Sequence, residues 1–199
     1  MKKSILIVGG SISGLAAALV LASAKNADLD FDISVVDDGK ADLNAVAIYN
    51  VPLFPRGARG KDIIEATKRQ IDELLKVRYI NGTITQISGS KGAFVGVGEG
   101  FEVKADYIIL ATGASRFDIA GLGDIVRPHE LMNKPDKIRL ATTGRQLVRE
   151  GVYAAGLASG VTTMVACAMG SGAEAACAIL SDIKGEVSII HDTPSSRAH

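Results

Sequence analysis

The stretch SILIVGGSISGLAAALVLASA, residues 4–24, decides the fold predicted for this 199-residue chain. Its first five residues form a short apolar run that stops at glycines, as a buried parallel strand does. Residues 12–24 are rich in alanine and leucine, as expected for a helix. Strand, tight turn and helix in this order predict the first unit of an α/β fold.

The turn between strand and helix resembles a dinucleotide-binding turn. Gly9, Ser11 and Gly14 fill the G-x-G-x-x-G frame, with serine in the second place. Such a turn directs backbone N–H groups and the positive end of the helix dipole at a phosphate, which only small residues allow to approach. The side chain of Ser11 leaves less room for the phosphate but does not prevent its approach. By itself, the pattern also fits a glycine-rich turn that closes an ordinary βα unit.

Two acids at the end of the second predicted strand favour a nucleotide. Asp37 stands where a carboxylate can accept hydrogen bonds from ribose hydroxyls and would repel a 2′-phosphate. Asp38 strengthens the case against NADP. The alternative for this pair is a solvated turn before Gly39.

The rest of the chain continues the α/β pattern. Short apolar and β-prone runs predict strands, and charged residues that alternate with apolar ones at helical spacing predict a helix. The expected elements are a strand at 31–37, a helix at 61–75, strands at 83–87, 92–97 and 101–104, a strand from Asp106, a strand at 151–156 and a helix at 162–183. The middle three strands predict a β-meander.

Residues 114–150 interrupt this pattern with prolines and scattered charge. We expect a long connection there with little regular structure. The whole is expected to form one domain over residues 1–190, since 199 residues are short for two domains. The end of the chain, 191–199, has the composition of a mobile tail.

The composition is that of a globular protein, with 47% hydrophobic residues and 22 basic against 22 acidic side chains. This balance predicts no general attraction to nucleic acid or to anionic membranes. No apolar run reaches the roughly 18 to 20 residues of a membrane helix, and the polar GGSISG interrupts what could otherwise pass for a signal peptide. Cys167 and Cys177 are expected to be reduced, which fits a cytoplasmic protein.

Five segments, in order, resemble the FAD domain of the thioredoxin reductase-like flavoproteins, within the wider two-dinucleotide-binding-domain family. They are VGGSISGLAAAL with VVDDG, YNVPLFPRGARGKDII, NGTITQI, ADYIILATGA, and GVYAAGLASG followed by MVACAMGSGAEAA. The resemblance implies a Rossmann-like FAD-binding domain with a central parallel sheet, flanking helices and a three-stranded β-meander. It also implies FAD as the cofactor.

The same resemblance implies a set of cofactor-binding residues. These are Gly9, Gly10, Ser11, Ile12, Ser13, Gly14, Asp37, Asp38, Asn50, Thr83, Ile84, Ala111, Thr112, Gly113, Gly156, Leu157, Met164 and Val165. The first glycine turn would hold the pyrophosphate and Asp37 the ribose. The flavin ring would lie between the segment of Asn50 and the start of the last helix.

The chain departs from this family in three ways. Only residues 114–150 stand where the family inserts an NAD(P)H-binding domain, and no second glycine motif occurs there. The redox C-x-x-C pair is missing, and the two cysteines, ten residues apart on one predicted helix, are roughly 15 Å apart, too far for a disulfide. Leu157 replaces the usual acid after AAG, which removes a charge-assisted hydrogen bond worth about 1.5 to 3 kcal/mol.

Other polar residues offer little chemistry. His129 could protonate or orient a substrate, but an ordinary surface loop histidine is the expected outcome. Arg56 and Arg59 could steer an anionic ligand, although solvated loop charges are more common. No Cys/His spacing fits a metal site, and no nucleophile motif is present, so no catalytic residue is assigned.

Three functions stay open from the sequence. The first is a single-domain FAD oxidoreductase that takes electrons from a free nicotinamide cofactor, a small reductant or a redox protein partner, with a homodimer expected by analogy. The second is a non-catalytic FAD-binding subunit or regulator. The third is an NAD-binding, dehydrogenase-like protein. The YNVP segment and the closing helix favour FAD over NAD, since both have a role only beside a flavin ring.

Overall fold

The computed structural model describes residues 1–188, so the expected tail at 191–199 lies outside the described residues. Three α-helices, three short 3-10 helices and thirteen strands occur in this part of the chain, and the α-helices and strands are numbered here. In chain order they are β1 (Lys2–Val8), α1 (Ile12–Ser23), β2 (Asp30–Asp37), β3 (Ala47–Ile48), β4 (Ala58–Arg59), α2 (Gly60–Leu74), β5 (Arg78–Asn81), β6 (Ile84–Ser88), β7 (Phe94–Gly98), β8 (Phe101–Ala105), β9 (Tyr107–Leu110), β10 (Val126–Pro128), β11 (Ile138–Leu140), β12 (Leu147–Arg149), β13 (Val152–Ala154) and α3 (Val165–Lys184).

The central sheet has six strands in the order β12-β13-β9-β1-β2-β5. All neighbours pair in parallel except β12 and β13, which are antiparallel. Strands β6, β7 and β8 form a separate antiparallel sheet of three. The predicted α/β class, with a central parallel sheet and a three-stranded meander, is therefore confirmed.

The meander and the helices cover opposite faces of the central sheet. In β1, Ile5 and Ile7 are buried with residues of the three helices, whereas Leu6 and Val8 are buried with residues of the meander. Both faces of the central sheet are thus buried at β1, because successive side chains of a strand point to opposite sides. This explains why the inner strands are apolar without interruption rather than alternating.

Strand β5 was not predicted from the sequence. It is the edge strand beside β2, and of its four residues only Ile80 is partly buried. An edge strand with one face in water needs little apolar surface, so RYIN carries no recognisable strand pattern. Helix α3 also begins three residues later than predicted, because Met164 is still extended, with φ −139° and ψ 141°.

The connection 114–150 is more ordered than predicted. It contains the hairpin of β10 and β11, and its last residues form β12 at the edge of the central sheet. The prediction of a surface histidine was wrong, since His129 is only 5% exposed. Its backbone N–H donates to the carbonyl of Lys137 at 2.9 Å, which holds it inside the folded hairpin.

A polar cluster ties the meander side of the sheet to α3. The Asp182 carboxylate on α3 accepts hydrogen bonds from Lys91 Nζ at 2.9 Å and from the Tyr107 hydroxyl at 2.7 Å. Burial raises the pKa of the Asp182 carboxyl, but the bonds from Lys91 and Tyr107 outweigh it, so this pKa lies below its ordinary value of 3.8. Asp182 therefore stabilises the fold when it is ionised.

We expect Asp182→Asn to lower the free energy of unfolding at pH 7 by about 1 to 2 kcal/mol. A lowered pKa gives stability that is present above the unfolded value and is lost as the pH falls through the folded one. The difference between variant and wild type should therefore shrink below pH 3.8. Urea unfolding at pH 7 and pH 3 measures this.

The control is Glu150→Gln. Glu150 lies 3.7 Å from the same lysine nitrogen, but its side chain is 83% exposed, so this variant should unfold like the wild type. If both variants lose the same free energy of unfolding, the hydrogen bonds of Asp182 contribute no more to stability than the exposed charge of Glu150.

Candidate functional site

A cavity of about 730 Å³ opens at the carboxyl ends of β1, β2 and β9. This volume is within the range of small-molecule and cofactor sites. Its walls come from the turn after β1, the end of β2, the segment around β3, the residues that follow β9 and the start of α3. The edge where parallel strands end is where α/β sheets bind ligands.

The structure brings the predicted cofactor-binding residues together. All of those that the resemblance implies line this cavity, except Gly10 and Gly14. They come from seven separate segments of the sequence, so the fold alone makes them neighbours. Gly10 and Gly14 shape the turn instead of facing the cavity.

Gly9 and Gly14 allow the turn to lie against the strands. Gly9 has φ +109°, and a Cβ there would lie 2.2 Å from the carbonyl oxygen of Ala111. A Cβ on Gly14 would lie 2.1 Å from the carbonyl oxygen of Gly9. Neither position accepts a side chain without a shift of the backbone, so the tight β1–α1 turn requires both glycines.

Two helices present uncapped N-termini to the cavity. Ser11 precedes α1 and Met164 precedes α3, and neither side chain makes a capping hydrogen bond. No acidic residue stands in the first turn of either helix. The first N–H groups of a helix have no partner within it, and they carry the positive end of its dipole. The cavity therefore offers two sets of donors to electronegative groups of one ligand.

Asp37 and Asp38 differ in their surroundings although both line the cavity. Lys40 donates to the Asp38 carboxylate from its backbone and from its ammonium, at 3.1 and 3.0 Å. The ammonium bond is the main reason why the pKa of Asp38 is lowered. Asp37 instead lies against the turn, where a Cβ on Gly10 would come within 2.9 Å of its Oδ2. Of these two carboxylates, only Asp38 is engaged in an ion pair among the described residues.

Thr112 supplies a further polar group. Its Oγ1 is buried and has no hydrogen-bond partner among the described residues. Thr112 also lines the cavity. A buried hydroxyl without a partner is costly unless a ligand or water satisfies it.

One part of the lining was missed from the sequence. Residues 115–119 follow β9 and form a wall of the cavity, on which Arg116 pairs with Asp118. The apolar residues Val46 and Ile48 also line it. The ATG motif already gave a signal for residues 115–119. It ends a strand at the site, so the residues that follow it must run along the site.

The cysteines do not belong to this site. Cys167 and Cys177 are both free and partly buried on α3, and neither lines the cavity. Within residues 1–188 there is no group of three or more His, Cys, Asp or Glu side chains that could hold a metal ion. None of the helices in the same residues is long and apolar enough to cross a membrane.

A comparison of the sequence with family models decides the family. The model described as pyridine nucleotide-disulphide oxidoreductase matches residues 3–197. The chain belongs to this family. A comparison with curated proteins gives no match.

Solved structures show the same fold as this pyridine nucleotide-disulphide oxidoreductase domain. A thioredoxin reductase from Gloeobacter violaceus matches with a TM-score of 0.76 and 14% identity, over 96% of this chain and 99% of that chain. An oxidoreductase from Agrobacterium tumefaciens matches with a TM-score of 0.70 and 20% identity, over 94% and 100%. An atypical thioredoxin reductase from Desulfovibrio vulgaris Hildenborough gives 0.70 and 19%, also over 94% and 100%. The predicted resemblance to the thioredoxin reductase fold is confirmed.

Proposed function

We propose that the cavity binds FAD and that the chain acts as a flavin-dependent oxidoreductase domain. The observation that carries this proposal is the pair of uncapped helix N-termini that face one cavity. FAD has electronegative groups at two places, the pyrophosphate and the pyrimidine edge of the flavin. NAD has the pyrophosphate but no flavin ring for the second helix to bind.

The residues of the cavity fit the parts of FAD in order. The turn at Gly9–Gly14 and the start of α1 would hold the pyrophosphate, and Asp37 the ribose. Thr83 and Ile84 would lie beside the adenine. The flavin would occupy the space between Asn50 and the backbone at Met164 and Val165.

FAD, when bound, supplies the capacity to accept or donate a hydride or single electrons. The chain would supply orientation and exclusion of water. The apolar side chains of Val46, Ile48 and Leu157 line the cavity and offer no proton donor. Because Leu157 cannot accept a hydrogen bond from the cofactor, we expect FAD to be held less tightly than with an acid there.

Electrons would come from a free nicotinamide cofactor or a redox protein, since the connection 114–150 stands where the family has an NAD(P)H domain. Thioredoxin reduction by the chain alone is not proposed, because the two thiols are free and lie outside the cavity. A homodimer and a cytoplasmic location stay predictions from the sequence.

The absorption spectrum of the purified protein tests the proposal. We expect bands near those of oxidised flavin and release of FAD on denaturation. A colourless protein that fails to bind added FAD in a fluorescence titration would overturn it. Binding of NAD alone would favour the dehydrogenase-like alternative. If FAD binds, anaerobic mixing with NADH, NADPH and reduced carrier proteins distinguishes a redox enzyme from a non-catalytic subunit.

We expect Asp37→Ala to weaken FAD binding about 10- to 100-fold, the loss of one or two hydrogen bonds to a charged acceptor. Asp38→Ala is the matched control. Asp38 is already engaged by Lys40, so its loss should change the dissociation constant less than threefold. Fluorescence quenching of FAD measures both constants. Similar losses for the two variants would show that Asp37 has no special role toward ribose.

A further inference from the structure

Three side-chain hydroxyls at the wall of the cavity have no partner among the described residues. We call Ser11, Ser13 and Thr112 the hydroxyl set; all three residues line the cavity. The Ser11 side chain makes no capping bond at the start of α1, and Thr112 Oγ1 is buried without a hydrogen-bond partner. Ser13 is only 6% exposed, and its hydroxyl makes no hydrogen bond within residues 1–188.

The hydroxyl set lies around the first turn of α1. Its two serines stand directly before this helix and within its first turn. A Cβ on Gly156 would lie 2.5 Å from Ser13 Oγ, so this hydroxyl lies against another residue of the cavity wall. Thr112 follows Ala111, whose N–H donates to the carbonyl of Val8 at 2.8 Å, beside the same turn. The hydroxyls are therefore close to the N–H groups that begin α1.

These donors suit the oxygens of a phosphate. A buried hydroxyl without a partner is costly, and a ligand that offers hydrogen-bond acceptors removes this cost. The first N–H groups of a helix bind phosphate oxygens in the same way. All of these donors are neutral groups, so none of them supplies a full positive charge.

No unpaired cation supplements these donors on the described lining. The charged lining residues are Asp37, Asp38, Asp42 and Asp118 against Lys40 and Arg116. Each cation is paired with one of the carboxylates, Lys40 with Asp38 and Arg116 with Asp118. Lys137 donates to a hydroxyl of the wall at 3.1 Å, but it does not itself line the cavity. The lining is therefore negative, with both of its cations already engaged.

Phosphate groups differ in the charge that such a lining must accommodate. In a pyrophosphate that is esterified at both ends, as in FAD, each phosphate carries a single negative charge. A terminal phosphate carries about −1.5 to −2 at pH 7, because its second pKa is about 6. The additional charge is unfavourable near the carboxylate of Asp37, which lies against the turn before α1.

We propose that the hydroxyl set binds the pyrophosphate of the ligand and that the cavity selects a doubly esterified pyrophosphate over one that ends in a free phosphate. This inference rests on the proposed function, because it places the pyrophosphate of FAD at the turn before α1. It adds a ligand class, the adenine nucleotides whose pyrophosphate is esterified at both ends.

Calorimetric titration of the purified chain with ADP-ribose and with ADP, in magnesium-free buffer, tests the selection. The two probes share adenosine and pyrophosphate, and only ADP ends in a free phosphate. We expect ADP-ribose to bind at least tenfold more tightly at pH 8. This ratio should fall toward pH 5.5, where the terminal phosphate of ADP takes up a proton. Flavin that remains bound would lower both apparent affinities by the same factor.

Three results of this titration would overturn the proposal. They are equal affinities of the two probes at pH 8, a ratio that does not change with pH, and no binding of ADP-ribose. Titration of the protein's own groups affects both probes, so it does not produce the expected change in their ratio.

Ser13→Ala tests the hydroxyl set directly. We expect it to weaken ADP-ribose binding about tenfold, since a hydrogen bond to a charged acceptor is lost. Urea unfolding of the ligand-free variant should need the same or a higher concentration, because the hydroxyl has no partner to lose. Thr112→Val should behave in the same way. Normal binding of ADP-ribose by both variants would overturn the proposal.

Ser23→Ala is the matched control on the same helix. The Ser23 hydroxyl donates to the carbonyl of Val20 at 2.9 Å, and Ser23 does not line the cavity. This variant should bind ADP-ribose like the wild type and unfold at a lower urea concentration. If Ser13→Ala has this pattern instead, its hydroxyl is structural and the proposal is wrong.

The probes separate this inference from the proposed function, because ADP-ribose contains no flavin. A chain that prefers ADP-ribose to ADP but fails to bind FAD would overturn the proposed function alone. A yellow chain that releases FAD on denaturation, but binds ADP as tightly as ADP-ribose, would overturn this inference alone.

Discussion

Gly9→Ala is expected to abolish measurable FAD binding and to lower the free energy of unfolding by about 3 kcal/mol, a loss that combines backbone strain with overpacking. The added Cβ would lie 2.2 Å from the carbonyl oxygen of Ala111, which is backbone and cannot rotate away. The turn must therefore move from β9, and the N–H groups at the start of α1 move with it. The melting temperature should fall by roughly 6 to 12 °C. Thermal unfolding and FAD titration measure the two effects.

Gly92→Ala is the matched control. Gly92 has a similar left-handed conformation, with φ +86°, but a Cβ there meets no atom within 4 Å. This variant should lose only about 1 kcal/mol from the backbone conformation and should bind FAD normally. If both variants lose the same free energy of unfolding, the contact between the added Cβ and Ala111 does not destabilise the protein, and the tight turn does not require glycine at position 9.

Ser11→Asp is expected to stabilise the protein without ligand while it prevents FAD binding. Aspartate before α1 would place a negative charge at the positive end of the helix, for a gain of about 0.5 kcal/mol. The same charge would face the pyrophosphate. Two like charges about 5 Å apart at an effective dielectric constant of about 20 repel by roughly 3 kcal/mol, so affinity should fall at least about 100-fold.

Opposite signs of the two effects make this test specific. Unfolding is followed in the absence of FAD, and binding by fluorescence titration. Ser11→Asn is the neutral control of nearly equal shape, and it should keep FAD affinity within about tenfold of the wild type. Unchanged affinity in Ser11→Asp would place the pyrophosphate away from α1.

The inner strands and the meander could be predicted because their local patterns agree with their final surroundings. No residue of the stretch at 4–24 is exposed and most are buried, so its apolar run and glycines carry the signal directly. The site residues followed from turns at strand ends, since parallel strands bring these turns together. The resemblance of the five segments to the family is what predicts which turn faces which part of a nucleotide.

The remainder depends on tertiary contacts that leave no local pattern. Strand β5 forms because β2 offers it an edge, not because RYIN prefers an extended chain. His129 is buried although the hairpin to which it belongs has no apolar periodicity. The exposure of Leu53 could not be predicted either. In the sequence PLFP, residues 52–55, nothing indicates which of the apolar side chains faces water.

Within the connection, residue 138 returns to the first residue, 114, and the two form a backbone hydrogen bond. The N–H of Ile138 donates to the carbonyl of Ala114 at 2.9 Å, so the chain leaves the β9 region and returns at the same place. Segments whose ends adjoin at a surface can be lengthened or exchanged with little strain on the remainder of the domain. The bond between residues 114 and 138 is thus a natural junction for grafting. A donor-binding module could be inserted there while the cavity at the strand ends and the central sheet keep their shape.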